Sequence, residues 1–358
     1  MRFALQRNEK LLYLWTINKE KMQMFRNLMC ALCFYAVSLF VSAGDGTTLY
    51  SLLDVPVSTS AAGGGGVQIA SASNDLSLVF HNPGMLTDVY DSDLSLGFLS
   101  YPAGIRLGSL AYARPINTRS SWMLGLRYMD YGEMLRTDET GALLGQTQAK
   151  DIALTAVYAW KLAQNLQAGG SLHLVQSRLD DYYSFAILAD LGIYYVHPNH
   201  LLRLAWTLRH MGAQLVTYED HFERQPIDMQ LGMSYKLEHA PLRFHATGWQ
   251  LFDGGWSRDR VDPDLEMSRF QRASALFFRH LILGVDFVPS EQFMLQLGYN
   301  YRRVSDLGIE QRTAFGGFSA GVQFRVKHVD IGAAYARYHV SGASLQMSLA
   351  CKTSLFGL

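Results

Sequence analysis

The sequence of 358 residues lacks a charge excess of either sign: 31 Lys and Arg face 31 Asp and Glu. Without a basic surplus to neutralise phosphates, a nucleic-acid binder is excluded. Charge is also scarce, at 17% against about 25% in an ordinary soluble domain. Cysteine is rarer still: Cys30, Cys33 and Cys351 cannot build a disulfide framework. Prolines number 9 against 31 glycines, which favours close backbone packing over linkers. Past residue 43 no apolar run reaches about 18 residues, so membrane-spanning helices are excluded. Metal spacing is missing too. The 11 histidines contain no His-x-x-x-His pair, and His221-Phe222-Glu223 has no downstream cysteine pair.

What is present begins with a targeting signal. An almost unbroken apolar stretch runs from Leu28 to Val41, after Lys19, Lys21 and Arg26 and before Ser42-Ala43-Gly44. Basic flank, short apolar core and small exit residues describe a secretory signal peptide over 1–43, cleaved after Ala43. The core is shorter than the ~20 residues of a bilayer-spanning helix. Met22 and Met24 are alternative starts. Cys30 and Cys33 lie inside the apolar core rather than after it, which speaks against lipid attachment. Cleavage removes six basic and two acidic residues, leaving 25 and 29 in 44–358.

Beyond the signal the sequence period is two. Trp122, Leu124, Leu126 and Tyr128 alternate with Met123, Gly125, Arg127 and Met129, and similar runs surround Ile187, Leu231, Leu297 and Met347. Successive strand residues point to opposite faces, so each run offers one apolar and one small or polar face. Fourteen such segments can be drawn: 92–101, 104–115, 120–130, 148–160, 165–177, 182–197, 199–211, 226–237, 241–251, 274–288, 291–303, 313–326, 328–339 and 343–355. Most exceed the about 5–6 residues of a soluble strand and match the about 9–11 of a tilted bilayer strand. Tight turns such as Pro289-Ser290 alternate with long polar connections at 131–147, 212–225 and 252–273, though not without exception. This predicts an all-β fold, a 14-stranded antiparallel transmembrane β-barrel over 92–358, with both chain ends on the periplasmic side.

The polar face must then be enclosed. It carries Arg127, Asp190, Arg203, Arg209, Lys236, Arg243, Asp286, Arg302, Arg325 and Asp330, each costly if it faced lipid at mid-depth. Pairing of opposite signs within the lumen is one reading, a selective channel lining the other. Tyr158, Trp160, Tyr195, Tyr235, Tyr301 and Tyr335 fit interfacial aromatic positions.

Residues 44–91 break the alternation. They are rich in small residues and carry Gly63, Gly64, Gly65 and Gly66 without the Lys-Ser/Thr of a phosphate loop. Close packing against a wall explains such glycines, so the segment is expected to plug the barrel. Ser60-Ala61-Ala62, the glycines with Val67, then Asp75 and Asn82-Pro83-Gly84 resemble the opening of the PorV/PorQ family. Those are FadL-like outer-membrane barrels of the type IX secretion system in Bacteroidetes. Ala62 stands where that family commonly has Arg, and Gly84 where it has Ala. Tyr131-Gly132, Asp138-Glu139-Thr140-Gly141, Gly145-Gln146 and Asp151 bring the resemblance closer to PorQ. It implies a hatch made by the N-terminal segment, and partners among other type IX components and cargo with C-terminal sorting domains, besides outer-membrane lipid.

No enzyme chemistry is expected. Gly317-Phe318-Ser319-Ala320-Gly321 matches G-x-S-x-G, but Val322, Phe324 and Val326 continue a strand where a strand-to-helix elbow is required. No cofactor, metal or catalytic residue is assigned. The functional expectation is a secretion component whose surface loops carry recognition. A FadL-like channel for hydrophobic compounds is the alternative, ranked lower because the inward face carries so much charge.

Overall fold

The computed structural model describes residues 50–87, 94–137, 140, 142–218, 225–252, 268–306, 316–339 and 342–353. The expected signal peptide, its cleavage site, Asp138, Glu139, Gly141 and most of 252–273 lie outside these residues.

Fourteen antiparallel strands close into a barrel, each bonded to its neighbours in chain order. They are β1 (Leu94–Ser100), β2 (Arg106–Asn117), β3 (Ser120–Thr137), β4 (Leu143–Ala163), β5 (Leu166–Leu179), β6 (Tyr182–Val196) and β7 (Leu202–Val216). The second half comprises β8 (Asp228–Lys236), β9 (Leu242–Gly248), β10 (Leu281–Ser290), β11 (Phe293–Asn300), β12 (Phe318–Val326), β13 (Val329–His339) and β14 (Gly342–Cys351). Closure is made by β1 against β14, in register from Leu94↔Cys351 to Ser100↔Leu345. No sheet edge is left open between first and last strand, as a lipid environment demands.

The alternation becomes an inside and an outside. On β4, Asp151, Ala153, Thr155, Val157 and Ala159 are buried while Ile152, Leu154, Ala156, Tyr158 and Trp160 are exposed. The same outward set recurs around the wall, with Leu96, Leu124, Leu172, Leu231, Leu297 and Leu349 among the exposed large apolar residues. In water this belt would be a liability; in hydrocarbon each such side chain gains roughly 1.5–3 kcal/mol.

Four expectations need correction. Residues 269–279 form helix α2 (Arg269–Arg279), not the start of the strand drawn at 274–288. Its physical cause is a capping box: Ser268 Oγ accepts from Gln271 N, and Gln271 Oε1 accepts from Ser268 N. The strand drawn at 291–303 stops at Asn300, whose Oδ1 takes the amide of Arg302 and starts helix α3 (Tyr301–Asp306). Tyr301 and Arg302 therefore leave the barrel wall. The connection placed at 131–147 is largely strand, since β3 runs to Thr137 and β4 begins at Leu143. The connection placed at 212–225 likewise starts late, with β7 continuing to Val216.

Residues 50–87 lie within the barrel. Helix α1 (Thr59–Gly63), N-capped by Ser58, packs on β11, β12, β13 and β14. A 3-10 turn at Pro83–Thr87 packs on β3, β4, β5 and β6, the opposite side. Between them a 3-10 turn at Leu76–Phe80 is capped by Asp75, whose carboxylate accepts from Ser77 N.

Candidate functional site

The lumen and the segment inside it form the candidate site. Ser60 is fully buried; its Oγ donates to Gln68 Oε1 at 2.9 Å and receives Gln296 Nε2 of β11 at 3.0 Å. Gly63 meets Gly321 of β12 backbone to backbone, and a Cβ on Gly63 would stand 2.7 Å from the Gly321 Cα. Gly64 and Gly65 abut Gly298 of β11 in the same manner, and Asn300 Nδ2 donates to the Gly65 carbonyl at 3.2 Å. Gly65 and Gly66 both have left-handed φ, 109° and 107°. Asp75 accepts from Ser58 Oγ at 2.6 Å; burial raises its carboxyl above the usual range, and the serine hydrogen bonds oppose that. Asn82 Nδ2 donates to Ile69 O at 3.0 Å while its Oδ1 takes Gly84 N at 2.9 Å. Pro83 presses on the backbone of Gly169, and Gly84 on Gly192. A Cβ on Gly84 would stand 2.9 Å from the Gly192 carbonyl oxygen, so this wall does not admit the more usual alanine.

The inward charges are distributed over three places. Around Leu53, Arg127 and Arg209 both donate to its carbonyl oxygen, at 3.3 and 2.9 Å. Arg127 also lies 4.9 Å from the centre of the Phe80 ring. Arg209 sits 3.7 Å from Asp190, which is 2.9 Å from His173 Nε2. On β9–β11, Asp286 lies 3.4 Å from His245 Nε2 and 4.0 Å from Arg243, and accepts from Gln296. Near the short turns, Arg325 holds Asp330 at 2.7 Å, and Arg203 lies among other cations. Arg302 is the exception: on α3 it lies over the Trp249 ring at 5.0 Å.

The lumen also carries apolar surface, interleaved with buried Thr155, His173, Gln230 and Gln346. Leu99, Leu107, Met123, Met129, Val157, Val175 and Leu188 project inward from β1–β6 against Tyr50, Leu52, Leu53, Val57 and Phe80. On the other side Ile69 and Ala70 pack on Tyr194, Val196 and Ala205. Outside that wall, Ile193, Leu204, Leu231 and Met233 border an apolar groove of about 490 Å³. Gly232 forms part of its floor, and a Cβ there would come within 2.6 Å of Ile69.

Sequence reasoning missed His81, His173 and Gln296. His173 Nδ1 faces Thr155 Oγ1 at 2.9 Å, while its Nε2 faces both Ser171 Oγ at 3.0 Å and Asp190 at 2.9 Å. Because Ser171 and Asp190 share one nitrogen, the carboxylate cannot orient the ring toward that serine, and all four groups are buried. This is packed polar structure, not a nucleophile site. The signal was available: His173 interrupts Leu172 and Leu174 at an inward position. Ser319 of the G-x-S-x-G match sits in β12 and donates to Gly63 O at 2.9 Å, so it holds the segment to the wall.

No protein-family profile matches the chain, and no curated protein does. Solved structures do. The toluene transporter TbuX of Ralstonia pickettii is similar with a TM-score of 0.50 at 13% identity, covering 83% of this chain and 97% of that one. The toluene transporter TodX of Pseudomonas putida gives 0.50 at 12%, covering 85% and 98%. A FadL homologue of Pseudomonas aeruginosa gives 0.47 at 13%, covering 82% and 97%. At such identities the likeness is one of fold. The chain is a closed fourteen-stranded antiparallel barrel with the fold of these two toluene transporters.

Proposed function

We propose that the protein is an outer-membrane channel for small hydrophobic compounds, with residues 50–87 as its internal plug. The supporting observation is the lining of the chamber the plug fills. Were the plug withdrawn, Leu99, Leu107, Met123, Met129, Val157, Val175 and Leu188 would border an apolar space. The charges that favoured another role are largely engaged with each other or with the segment's backbone. The groove outside Gly232 offers an apolar compound a resting place on the lipid-facing side, where β7, β8 and β9 remain paired. Similar folds named for toluene transport support the same class of cargo. The test uses proteoliposomes holding the mature chain and a monoaromatic hydrocarbon. Deleting 60–70 is expected to speed its entry, and Met123→Asp with Val157→Asp to slow it. Entry no faster than through plain lipid, with or without the deletion, would refute the channel.

A second reading, an adaptor of type IX secretion, draws on the β3–β4 hairpin. It continues past the last β2 pairing, Arg106↔Asp130, and past the last β5 pairing, Ala149↔Leu179. Leu135, Leu143 and Leu144 on it are 66%, 67% and 60% exposed, a projecting apolar tip suited to a protein partner. Loss of sorting-domain cargo from the surface of a deletion strain, restored by the wild-type gene but not by one lacking 133–147, supports this reading. Normal export in the deletion strain rejects it.

A further inference from the structure

At the short-turn end of the barrel, a cavity of about 510 Å³ opens between the lumen segment and the wall. Residues 72–75 of the segment form one side; Arg203 of β7, Lys236 of β8 and Arg243 of β9 form another. The register makes these three a cluster. Lys236 stands directly opposite Arg243 across the β8–β9 pair, and Arg203 stands opposite Ser234, two residues along β8 on the same inward face. Like charges placed directly across a strand pair repel, so the arrangement is unfavourable unless something negative lies between them.

The protein's own carboxylates do not supply it. Among the described residues no carboxylate comes within ion-pair distance of Arg203 or Lys236, and the Arg203 Nε is buried without a hydrogen-bond partner. Arg243 is 9% exposed, and its nearest carboxylate, Asp286, is 4.0 Å away and already engaged by Gln296 and His245. The other acids of the cavity are Asp75, Glu291 and Asp330. Asp75 is held by Ser58 and Ser77, Asp330 by Arg325, and Glu291 sits exposed at the turn.

We propose that this cavity binds a phosphate group, with Arg203, Lys236 and Arg243 as its ligands. A single carboxylate offers one charge and two oxygens, which one guanidinium fork satisfies. Three converging cations instead match the higher charge and tetrahedral oxygens of a phosphate. Two guanidinium groups give directed paired donors, and the lysine adds a mobile point charge. The phosphate can come from solution, as inorganic phosphate or a small ester, or from a lipid headgroup.

The test is thermal melting of the detergent-extracted mature chain, followed by loss of its heat-modifiable band on gels. Inorganic phosphate is titrated at constant ionic strength with acetate as control; in parallel, the protein is placed in nanodiscs of phosphatidylcholine with or without phosphatidic acid. A saturable upward shift with inorganic phosphate supports the site and an aqueous source. A shift only with phosphatidic acid supports the site and a lipid source. Lys236→Gln and Arg203→Gln should each weaken the effect about tenfold, as expected for one charge-assisted contact. Each should also raise the melting point without phosphate, because the repulsion is relieved; a merely structural lysine would lower it. Wild-type protein that neither probe stabilises beyond acetate or phosphatidylcholine overturns the proposal, whatever the variants do. So does an undiminished phosphate shift in both variants.

Discussion

Acid should loosen the lumen segment through one side chain, His81. Its ring is 4% exposed, neither nitrogen has a hydrogen-bond partner among the described residues, and Arg209 and Arg127 face it from β7 and β3. Burial first, and then those two cations, push its pKa down to about 3. Released into water, the ring returns to about 6.5. The sign follows from linkage: above about pH 6.5 both states are neutral and the docked state suffers nothing, while below it the released state takes the proton first. Docking therefore weakens as pH falls from about 6.5 toward 3, by about 2 kcal/mol at pH 5, or roughly thirtyfold in the docking equilibrium. Asp75 acts in the opposite direction, since its raised carboxyl favours docking as the pH falls through its range. The His81 contribution is isolated by comparison with His81→Leu. A thiol at the buried Ser71 position, Ser71→Cys in a Cys351→Ala background, reports opening by its labelling rate. Between pH 7 and 5 the ratio of rates, histidine protein over leucine variant, should rise about twenty-fivefold. A ratio that stays constant with pH would show that His81 does not titrate on release.

Other outcomes can be checked more simply. Gly63→Val puts a branched side chain 2.7 Å from the Gly321 backbone; it should weaken docking by about 1–3 kcal/mol and appear as new conductance in planar bilayers. Asn82→Ala removes the bonds to Ile69 O and Gly84 N and should cost about 1–3 kcal/mol, seen as a lower melting point of the folded band. An epitope within 253–267 should be labelled on intact cells and one at Pro289-Ser290 should not; equal labelling would refute the assigned orientation. N-terminal sequencing of membrane-extracted protein should begin at Gly44.

The fourteen strands were legible because a bilayer imposes two constraints at once, a period of two and a minimum length. Leu124, Leu154 and Leu297 obey both, and no soluble alternative explains their outward exposure. Where the bilayer ends, so does the signal. Residues 131–137 and 143–147 are strand in the protein but carry Gly, Glu, Thr and Gln on both faces, because water touches both. The Ala-Leu-Phe-Phe run of 275–278 reads as strand when its cap at Ser268 is overlooked. In the lumen, the packing role of Gly63 to Gly66 could be anticipated, but not their partners. Gly298 and Gly321 are two of many strand glycines, and only the closed barrel brings them to the segment. Of the charges read as inward, Arg127, Asp190, Arg209, Arg243 and Asp286 are buried on strands, while Arg302 lies on α3. Arg127 and Arg209 converge on one carbonyl, Leu53 O, beside the apolar side chains of β1 to β6.

The joining of β1 to β14 has a consequence for how the protein is made. Residues 50–87 precede every strand in the chain, and part of the surface that buries them comes last. Thr59 Oγ1 meets Ser348 Oγ across 289 residues, and Gly63 O meets Ser319 across 256. Until β11 to β14 have been inserted, helix α1 lacks its seat, although Leu52, Leu53 and Phe80 can already meet the inward side chains of β1 to β6. During that interval α1 and its glycines await their partners, and loops this long are slow to close. A chain truncated before β12 would then lose the seat of helix α1, at its beginning, as well as the strands at its end.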